Sequence, residues 1–338
     1  MSKVLYFLGL AQLWPFLLFF KTKTYYEDDN RKNKRIKGSA IIISNHRSYM
    51  DGIVIALSFF FKRLYYLVVD FYFSNGKRKI LKFIVKITGG IFVNQDGGRQ
   101  HDGGRHTDGC DFGFIEKSKR VTARGGVVLI FPEGDFTFTY EPSKFTAGYI
   151  MLAVKTGARI VPVVNDFNYG FFKRVHIMIG NGIDLSNYSC AELTREKLNE
   201  MNNEISNKYL TLFYRLKRKK AERFSDKYDF ISPRKGDVIR IFVGSHYHYG
   251  VYISAGEVIQ FGLSVNRAGE DVLVNSVSLK DFCGAKIPEV RVLKRSEKRF
   301  VRDSGDIEKY AKSCLGRGGY SLADNNCLDF ANRVTLKI

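Results

Sequence analysis

Ala40-Ile41-Ile42-Ile43-Ser44-Asn45-His46-Arg47-Ser48-Tyr49-Met50-Asp51 decides the fold of the first half of this chain. Its first five residues form a short apolar run without polar alternation, the pattern of a strand buried on both faces of a parallel sheet. Residues 51–61 then read as a helix. A buried strand therefore delivers His46 into a loop, with Asp51 about where the next helix begins. Farther along, residues 126–131 (GVVLIF) and 160–164 (IVPVV) read as further buried strands, and 175–179 (VHIMI) as another. Leu198, Met201, Ile205, Tyr209, Leu212 and Leu216 recur at helical spacing and predict a long amphipathic helix ending in Lys217-Arg218-Lys219-Lys220. Alternating elements of this kind indicate an α/β domain that ends near residue 225.

Around that core, composition bounds the rest. The 338 residues carry 54 Lys+Arg against 34 Asp+Glu, a formal net charge of +20. That length suits two domains, each able to bury its own core. With 45% hydrophobic and 26% charged residues, the chain is neither disordered nor a polytopic membrane protein. Five cysteines without regular spacing make no disulfide framework, and no Cys-x-x-Cys pair marks a structural zinc site. The positive surplus points to a polyanionic partner: nucleic acid, anionic lipid headgroups or phosphorylated substrates.

Residues 4–20 (VLYFLGLAQLWPFLLFF) are apolar except for Gln12. Seventeen helical residues reach about 26 Å, short of the roughly 30 Å hydrocarbon core, and Pro15 kinks such a helix. No small-residue cleavage site follows, which argues against a signal peptide. A buried core helix fits the length. Trp14 and the aromatic residues instead suit a membrane-embedded or interfacial anchor. Lys21, Lys23, Arg31, Lys32, Lys34, Arg35 and Lys37 follow, so the chain beyond is expected on the cytoplasmic face. Residues 96–109 repeat Asp-Gly-Gly-Arg and read as a loop; His101, His106 and Cys110 there would have to overcome a large ordering entropy to hold a metal, and none is expected. After the turn-rich Ser232-Pro233-Arg234-Lys235-Gly236, residues 237–243 and 250–253 read as β, with a late helix around 328–334. The expected divisions are an anchor helix at 1–22, a first domain at 23–225 and a second at 226–338.

The first chemical constellation is His46 with Asp51. A carboxylate beside an imidazole fixes its tautomer and stabilises the imidazolium formed when the ring takes a proton. A histidine so held can deprotonate a hydroxyl for attack on an acyl carbonyl. Taken alone, the spacing also fits a His–Asp pair capping a helix. Some 80 residues on, a second buried strand ends in Phe131-Pro132-Glu133-Gly134, again at a carboxyl end, where open α/β sheets place their sites.

Asn-His-x-x-x-x-Asp followed by Phe-Pro-Glu-Gly resembles the glycerolipid acyltransferases of the lysophosphatidate acyltransferase family, over roughly residues 35–215. Lys144, Gly148, Gly157 and Ile160-Val161-Pro162-Val163 resemble that family's downstream pattern. The resemblance implies His46 as base, Asp51 as its orienting partner, and Asn45, Phe131, Pro132, Glu133, Gly134 and Lys144 around the acceptor. It implies a thioester of coenzyme A or acyl carrier protein as acyl donor, and no metal. Two departures stand out: Gln95 and Phe136 occupy positions where the family usually has arginine. Neither can copy the bidentate grip of a guanidinium on phosphate. Arg99, Arg105 and Lys144 are the cations nearby in sequence.

The second constellation joins His246-Tyr247-His248-Tyr249-Gly250-Val251-Tyr252-Ile253, Gln260 and Asn326-Cys327-Leu328-Asp329-Phe330. Strand–turn–strand segments put His248 and Gln260 on neighbouring strands, and Cys327 opens the last helix. A helix N-terminus and a nearby imidazole are expected to lower the thiol's pKa. A lone cysteine is otherwise a buried apolar residue. Gly-Asp-x-Ile, His-x-x-x-Tyr and Asn-Cys-x-x-Phe resemble the lecithin–retinol acyltransferase-like domain, a permuted relative of papain-like and NlpC-type peptidases, over residues 232–338. The resemblance implies Cys327 as nucleophile, His248 as base and Gln260 as orienter, where the family often has a second histidine. His246 is the other candidate base.

Together these readings give an α/β glycerolipid acyltransferase domain followed by a smaller α+β permuted papain-like domain, with an N-terminal apolar membrane-associated helix. The expected activity is acyl transfer to a lysophospholipid or glycerol phosphate hydroxyl at His46, with thioester acyl transfer or phospholipase A-type chemistry at Cys327. An NlpC-type cell-wall peptidase and a non-enzymatic basic membrane-binding protein are the alternatives. Residues 1–230 hold 37 Lys+Arg and 22 Asp+Glu, against 17 and 12 in 231–338. The surplus thus sits with the anchor and the His46 domain, which favours an anionic bilayer, phospholipid and lysophospholipid as partners over nucleic acid.

Overall fold

The computed structural model describes residues 21–28, 36–48, 50–59, 62–69, 89–93, 113–137, 139, 141–169, 173–262 and 272–338. Residues 4–20 and 96–109 lie outside the described residues, with Gln95 and Cys110. Among the described residues no helix is long and apolar enough to cross a membrane. The chain divides into two compact units, Met1–Leu212 and Phe213–Ile338.

The first unit is built on seven strands: β1 (Lys21–Tyr26), β2 (Ala40–Ser44), β3 (Leu64–Val69), β4 (Gly90–Val93), β5 (Val127–Ile130), β6 (Arg159–Asn165) and β7 (Arg174–Ile179). Their order is β1-β7-β6-β2-β5-β3-β4. Strand β2 runs parallel to both neighbours, with Ile43 opposite Ile130 on one side and Pro162 on the other. All five β2 residues are buried, which is why they show no polar alternation. Only the β6–β7 pairing is antiparallel. Helices α1 (Met50–Ser58), α2 (Gly113–Ala123) and α3 (Gly148–Thr156) connect these strands. Val54, Ile55 and Phe59 of the α1 region join Ile42, Leu129, Val161, Val163 and Ile177 in one core. That register leaves the carboxyl ends of β2, β5 and β6 side by side.

Strand β1 corrects the anchor's expected limit. Lys21 and Thr22, placed at the end of the 1–22 anchor helix, begin a strand instead. Lys-Thr-Lys-Thr-Tyr-Tyr is rich in β-formers, and its exposed lysines suit a sheet edge.

Helix α4 (Arg195–Ala221) carries the expected apolar face: Met201, Ile205, Tyr209, Leu212 and Leu216 are all buried. The division between the units falls inside this helix, ahead of the boundary expected between residues 225 and 226 and of the turn-rich Ser232-Pro233-Arg234-Lys235-Gly236. Its periodicity continues unbroken across the division, so no sequence punctuation marks it.

The second unit contains β8 (Tyr228–Asp229), β9 (Val238–Val243), β10 (His246–Ser254), β11 (Glu257–Phe261), β12 (Val274–Val277) and β13 (Glu289–Arg291), ordered β12-β11-β10-β9-β13-β8 and antiparallel throughout. Helices α5 (Leu279–Cys283), α6 (Arg295–Lys298), α7 (Ser304–Ser313) and α8 (Cys327–Thr335) complete it. The last turns of α4 hold the segment leading into α8. Arg215 Nε reaches Asp324 Oδ1 at 2.7 Å and Arg218 Nε reaches Asp329 Oδ1 at 2.7 Å, each guanidinium also engaging the second carboxylate oxygen. Bidentate pairs of this kind set orientation as well as distance.

Candidate functional site

The end of β2 places His46 beside the first turn of α1. His46 Nδ1 lies 3.0 Å from Asp51 Oδ2, which also accepts from the amides of Arg47 at 2.7 Å and Ser48 at 2.8 Å. Asp51 Oδ1 accepts from Asn165 Nδ2 at 3.2 Å and from the Tyr169 hydroxyl. A carboxylate with no solvent exposure is costly unless donors surround it, and here five do. As a carboxylate Asp51 only accepts, so Nδ1 carries the ring proton and Nε2 keeps a lone pair.

Two phenylalanines enclose the imidazole. Phe131 stacks on it at 3.8 Å between centroids and 11°, and Phe136 lies at 4.3 Å and 37°. Both come from the segment after β5, which turns sharply at Gly134: its φ of +80° is open to glycine, and its amide donates to the Phe131 carbonyl at 3.1 Å. The Pro132 carbonyl accepts from the Thr146 amide and hydroxyl. Glu133 Oε1 faces the His46 amide at 3.4 Å, while Oε2 is buried with no hydrogen-bond partner among the described residues. Burial pushes the Glu133 carboxyl up to about 7, against the pull of the Ser143 and His46 amides and of Arg47. Lys144 is exposed and makes no hydrogen bond or ion pair with His46 or Asp51.

Asn45 is a brace. Its Nδ2 donates to the Asn165 carbonyl at 2.8 Å, and its Oδ1 accepts from the Asn165 amide at 2.9 Å and the Tyr209 hydroxyl at 2.8 Å. It staples β2 to β6 one residue before His46. Its side chain is buried because every polar group it carries is already matched. Tyr209 from α4 completes the brace by accepting from the Asn45 amide at 2.8 Å and facing the Val163 carbonyl at 3.0 Å. Tyr209→Phe removes the hydroxyl that the buried Asn45 amide donates to and is expected to destabilise the protein by about 1–3 kcal/mol. A denaturation midpoint unchanged from wild type would remove the brace from the account.

Sequence reasoning missed Asn165, Tyr169 and Tyr209 as part of this arrangement. One signal was present: a tyrosine at a buried position of an apolar helix face needs a partner for its hydroxyl. Asn165 ends a buried strand, as Ser44 and Ile130 do. Nothing in the sequence marks Tyr169, whose turn depends on Phe167 adopting φ +55° with its amide on Asn165 Oδ1 at 3.0 Å.

In the second unit, Asn326 caps α8. Its Oδ1 accepts from the amides of Leu328 at 3.0 Å and Asp329 at 3.1 Å, and Asp329 Oδ2 accepts from the Asn326 amide at 3.0 Å. This reciprocal cap fixes Cys327 as the first helical residue. The amides of Tyr249 and Leu328 and the Tyr320 hydroxyl face its sulfur and pull its pKa down, yet burial outweighs them and pushes the thiol above its ordinary range. The expectation of a lowered thiol pKa is therefore corrected: desolvation exceeds the helix-terminus effect.

His248 Nε2 meets Gln260 Oε1 at 2.8 Å. Burial pushes His248 down to about 4, against the pull of that hydrogen bond. The structure brings His248 and Gln260 together, but no hydrogen bond joins either to Cys327 among the described residues. His246 is exposed, with Ser245 Oγ 3.5 Å from its Nδ1. Cysteine and histidine are thus both uncharged at neutral pH, and no thiolate–imidazolium pair is stored. Tyr320, seven residues before the cysteine, was not foreseen. Among the described residues no group of three or more His, Cys, Asp or Glu is arranged to hold a metal ion.

Two family models match the chain: acyltransferase over residues 24–166, and lecithin retinol acyltransferase over residues 231–336. The first span contains His46, Asp51, Glu133 and Asn165; the second contains His248, Gln260 and Cys327. Among solved structures, the 1-acyl-sn-glycerophosphate (LPA) acyltransferase PlsC from Thermotoga maritima matches at 18% identity and TM-score 0.43, over 65% of this chain and 80% of that one. No curated protein matches.

Proposed function

From a chain that carries an acyltransferase-family domain at its N-terminal side and a lecithin retinol acyltransferase-family domain at its C-terminal side, we propose a membrane-associated phospholipid acyltransferase with two sites. The observation that carries the first site is the His46–Asp51 pair at the carboxyl end of a buried parallel strand. His46 Nε2 takes the proton of an acceptor hydroxyl as its oxygen attacks the thioester carbonyl. The tetrahedral intermediate then collapses, breaks the carbon–sulfur bond and releases the coenzyme A or carrier-protein thiol with the proton that His46 returns. Glu133 and the Phe131–Phe136 wall bound the acceptor, which is a lysophospholipid or glycerol phosphate.

At the second site Cys327 Sγ attacks a phospholipid ester carbonyl. Its proton passes to His248 and then to the departing lysolipid oxygen, leaving the acyl group on sulfur for water or another acceptor. This step requires sulfur and imidazole to approach. The lysophospholipid so released is an acceptor for the first site, which supports a remodelling role. Residues 4–20 would hold the chain to the cytoplasmic face of a membrane, where the positive surplus meets anionic headgroups.

The test supplies vesicles whose phospholipid carries a labelled acyl chain, and separately a labelled acyl thioester with lysophospholipid. Label on protein and in free fatty acid in the first arm, with unlabelled lysolipid released, and label in diacyl product in the second, support the reading. Label in neither arm sinks it. A pH profile adds a check on the second site. With His248 at about 4, the basic ring persists through mild acid, so phospholipid deacylation is expected to stay flat from pH 7 to about 5 and to fall only nearer 4. An acid limb near 6.5 would contradict a buried His248 base.

A further inference from the structure

We infer that Asn275 is a positioning residue of the Cys327 site: it fixes the amide of Gln260, and through it the tautomer of His248. The inference rests on the proposed role of His248 as base. Its geometry stands independently, as a one-way chain of hydrogen bonds across strands β10, β11 and β12.

The direction of the chain is set at its far end. Asn275 Nδ2 donates to the backbone carbonyls of Leu273 at 3.2 Å and Gly262 at 3.4 Å. A carbonyl can only accept, so the nitrogen of the Asn275 amide must face these two oxygens and its Oδ1 must face the other way. Asn275 stands directly opposite Gln260 in the β11–β12 register. Its Oδ1 accepts from Gln260 Nε2 at 3.0 Å, which turns Gln260 Oε1 towards the histidine. His248 Nε2 lies 2.8 Å from that oxygen and must carry the proton. Nδ1 is left with the lone pair. Strand alternation brings the parts together: Gln260 pairs with Gly250, and His248 lies two residues from Gly250 on the same face.

This arrangement also explains a neutral amide at position 260. A carboxylate there could accept from His248, but its second oxygen would meet Asn275 Oδ1, acceptor against acceptor. An amide satisfies both neighbours because one end accepts and the other donates. Gln260 and His248 are buried, so a wrongly turned Gln260 amide would leave unpaired groups away from solvent.

The experiment reads the proton directly. Protein carrying 15N-labelled histidine is examined at pH 7 by long-range proton–nitrogen correlation of the His248 ring, assigned with a His248→Gln protein. Wild type is expected to show one tautomer, protonated at Nε2. In Asn275→Ala the Gln260 amide is released, and the second tautomer is expected to reach tens of per cent of the population, roughly. Phospholipid deacylation is expected to fall roughly threefold in kcat with KM unchanged. A wild-type ring protonated at Nδ1, or an Asn275→Ala ring indistinguishable from wild type, overturns the proposal. Should the protein fail to deacylate phospholipid while the ring behaves as described, the enzymatic reading falls and the relay stands.

Discussion

Incubated with phospholipid vesicles, the wild-type protein is expected to gain one acyl chain in mass on Cys327, and the Cys327→Ala protein none. The sulfur is the nucleophile in the proposed reaction, so its removal leaves no atom at the start of α8 to form the thioester. Other cysteines offer internal controls: Cys283 and Cys314 are buried, while Cys190 is exposed. An adduct on Cys190 instead of Cys327 would report surface chemistry and defeat the assignment. Because burial raises the thiol's pKa, a small alkylating reagent is expected to modify Cys327 slowly at pH 7 and faster as pH rises. Rapid alkylation at neutral pH would mean a stored thiolate, contrary to the geometry. The pKa of Tyr320 is pushed up to about 12, chiefly by burial and then by the neighbouring sulfur, so its hydroxyl keeps its proton throughout that range.

The second large effect belongs to His46. In a Cys327→Ala background, which isolates the first site, His46→Ala is expected to lower acyl transfer from a labelled thioester to lysophospholipid by about a thousandfold, within the usual range for a lost general base. KM for the acceptor should change little, because the ring acts on the proton more than on the headgroup. A loss of less than tenfold would remove His46 from the chemistry. Asp51→Asn tests the partner more severely. The amides of Arg47 and Ser48, the Tyr169 hydroxyl, Asn165 Nδ2 and the ring all donate to this carboxylate. An amide nitrogen placed there would face donors with a donor, so a comparable loss accompanied by lower stability is expected.

Much of the first unit was legible because its sheet is parallel and buried. Residues 40–44 and 126–131 announce themselves by unbroken apolar runs, and the structure pairs them side by side. The helix through Met201, Ile205 and Tyr209 was equally plain, since one buried face repeats at the helical period. Strands β1, β3 and β4 were not legible. Lys21–Tyr26 lies at an edge, where charge is tolerated on the exposed side, and Leu64–Val69 carries tyrosines that are half-buried. In the second unit, alternation and turns revealed β9, β10 and the start of α8.

At the sites, local pairings could be anticipated and long-range ones could not. His46 and Asp51 are five residues apart and meet across one turn. Asn165 and Tyr169 reach Asp51 from more than a hundred residues away, through strand register that no local pattern encodes. The raised thiol pKa of Cys327 was missed for a related reason: a helix terminus can be read from sequence, whereas desolvation depends on everything packed around it. The basic run at the end of α4 shows the same limit. Arg218 was read only as one of four basic residues closing the helix, and the structure commits it to Asp329.

The cage around Asp51 has an evolutionary consequence. Three side chains from separated stretches, His46, Asn165 and Tyr169, donate to one carboxylate, so losing any of them leaves Asp51 short of a donor, whereas Arg47 and Ser48 donate backbone amides that other residues also supply. The segment carrying Phe131, Glu133 and Phe136 meets His46 mainly through ring faces and one amide. Single substitutions there need no compensating partner. A lineage exploring new acceptors would therefore vary this wall while inheriting the cage unaltered.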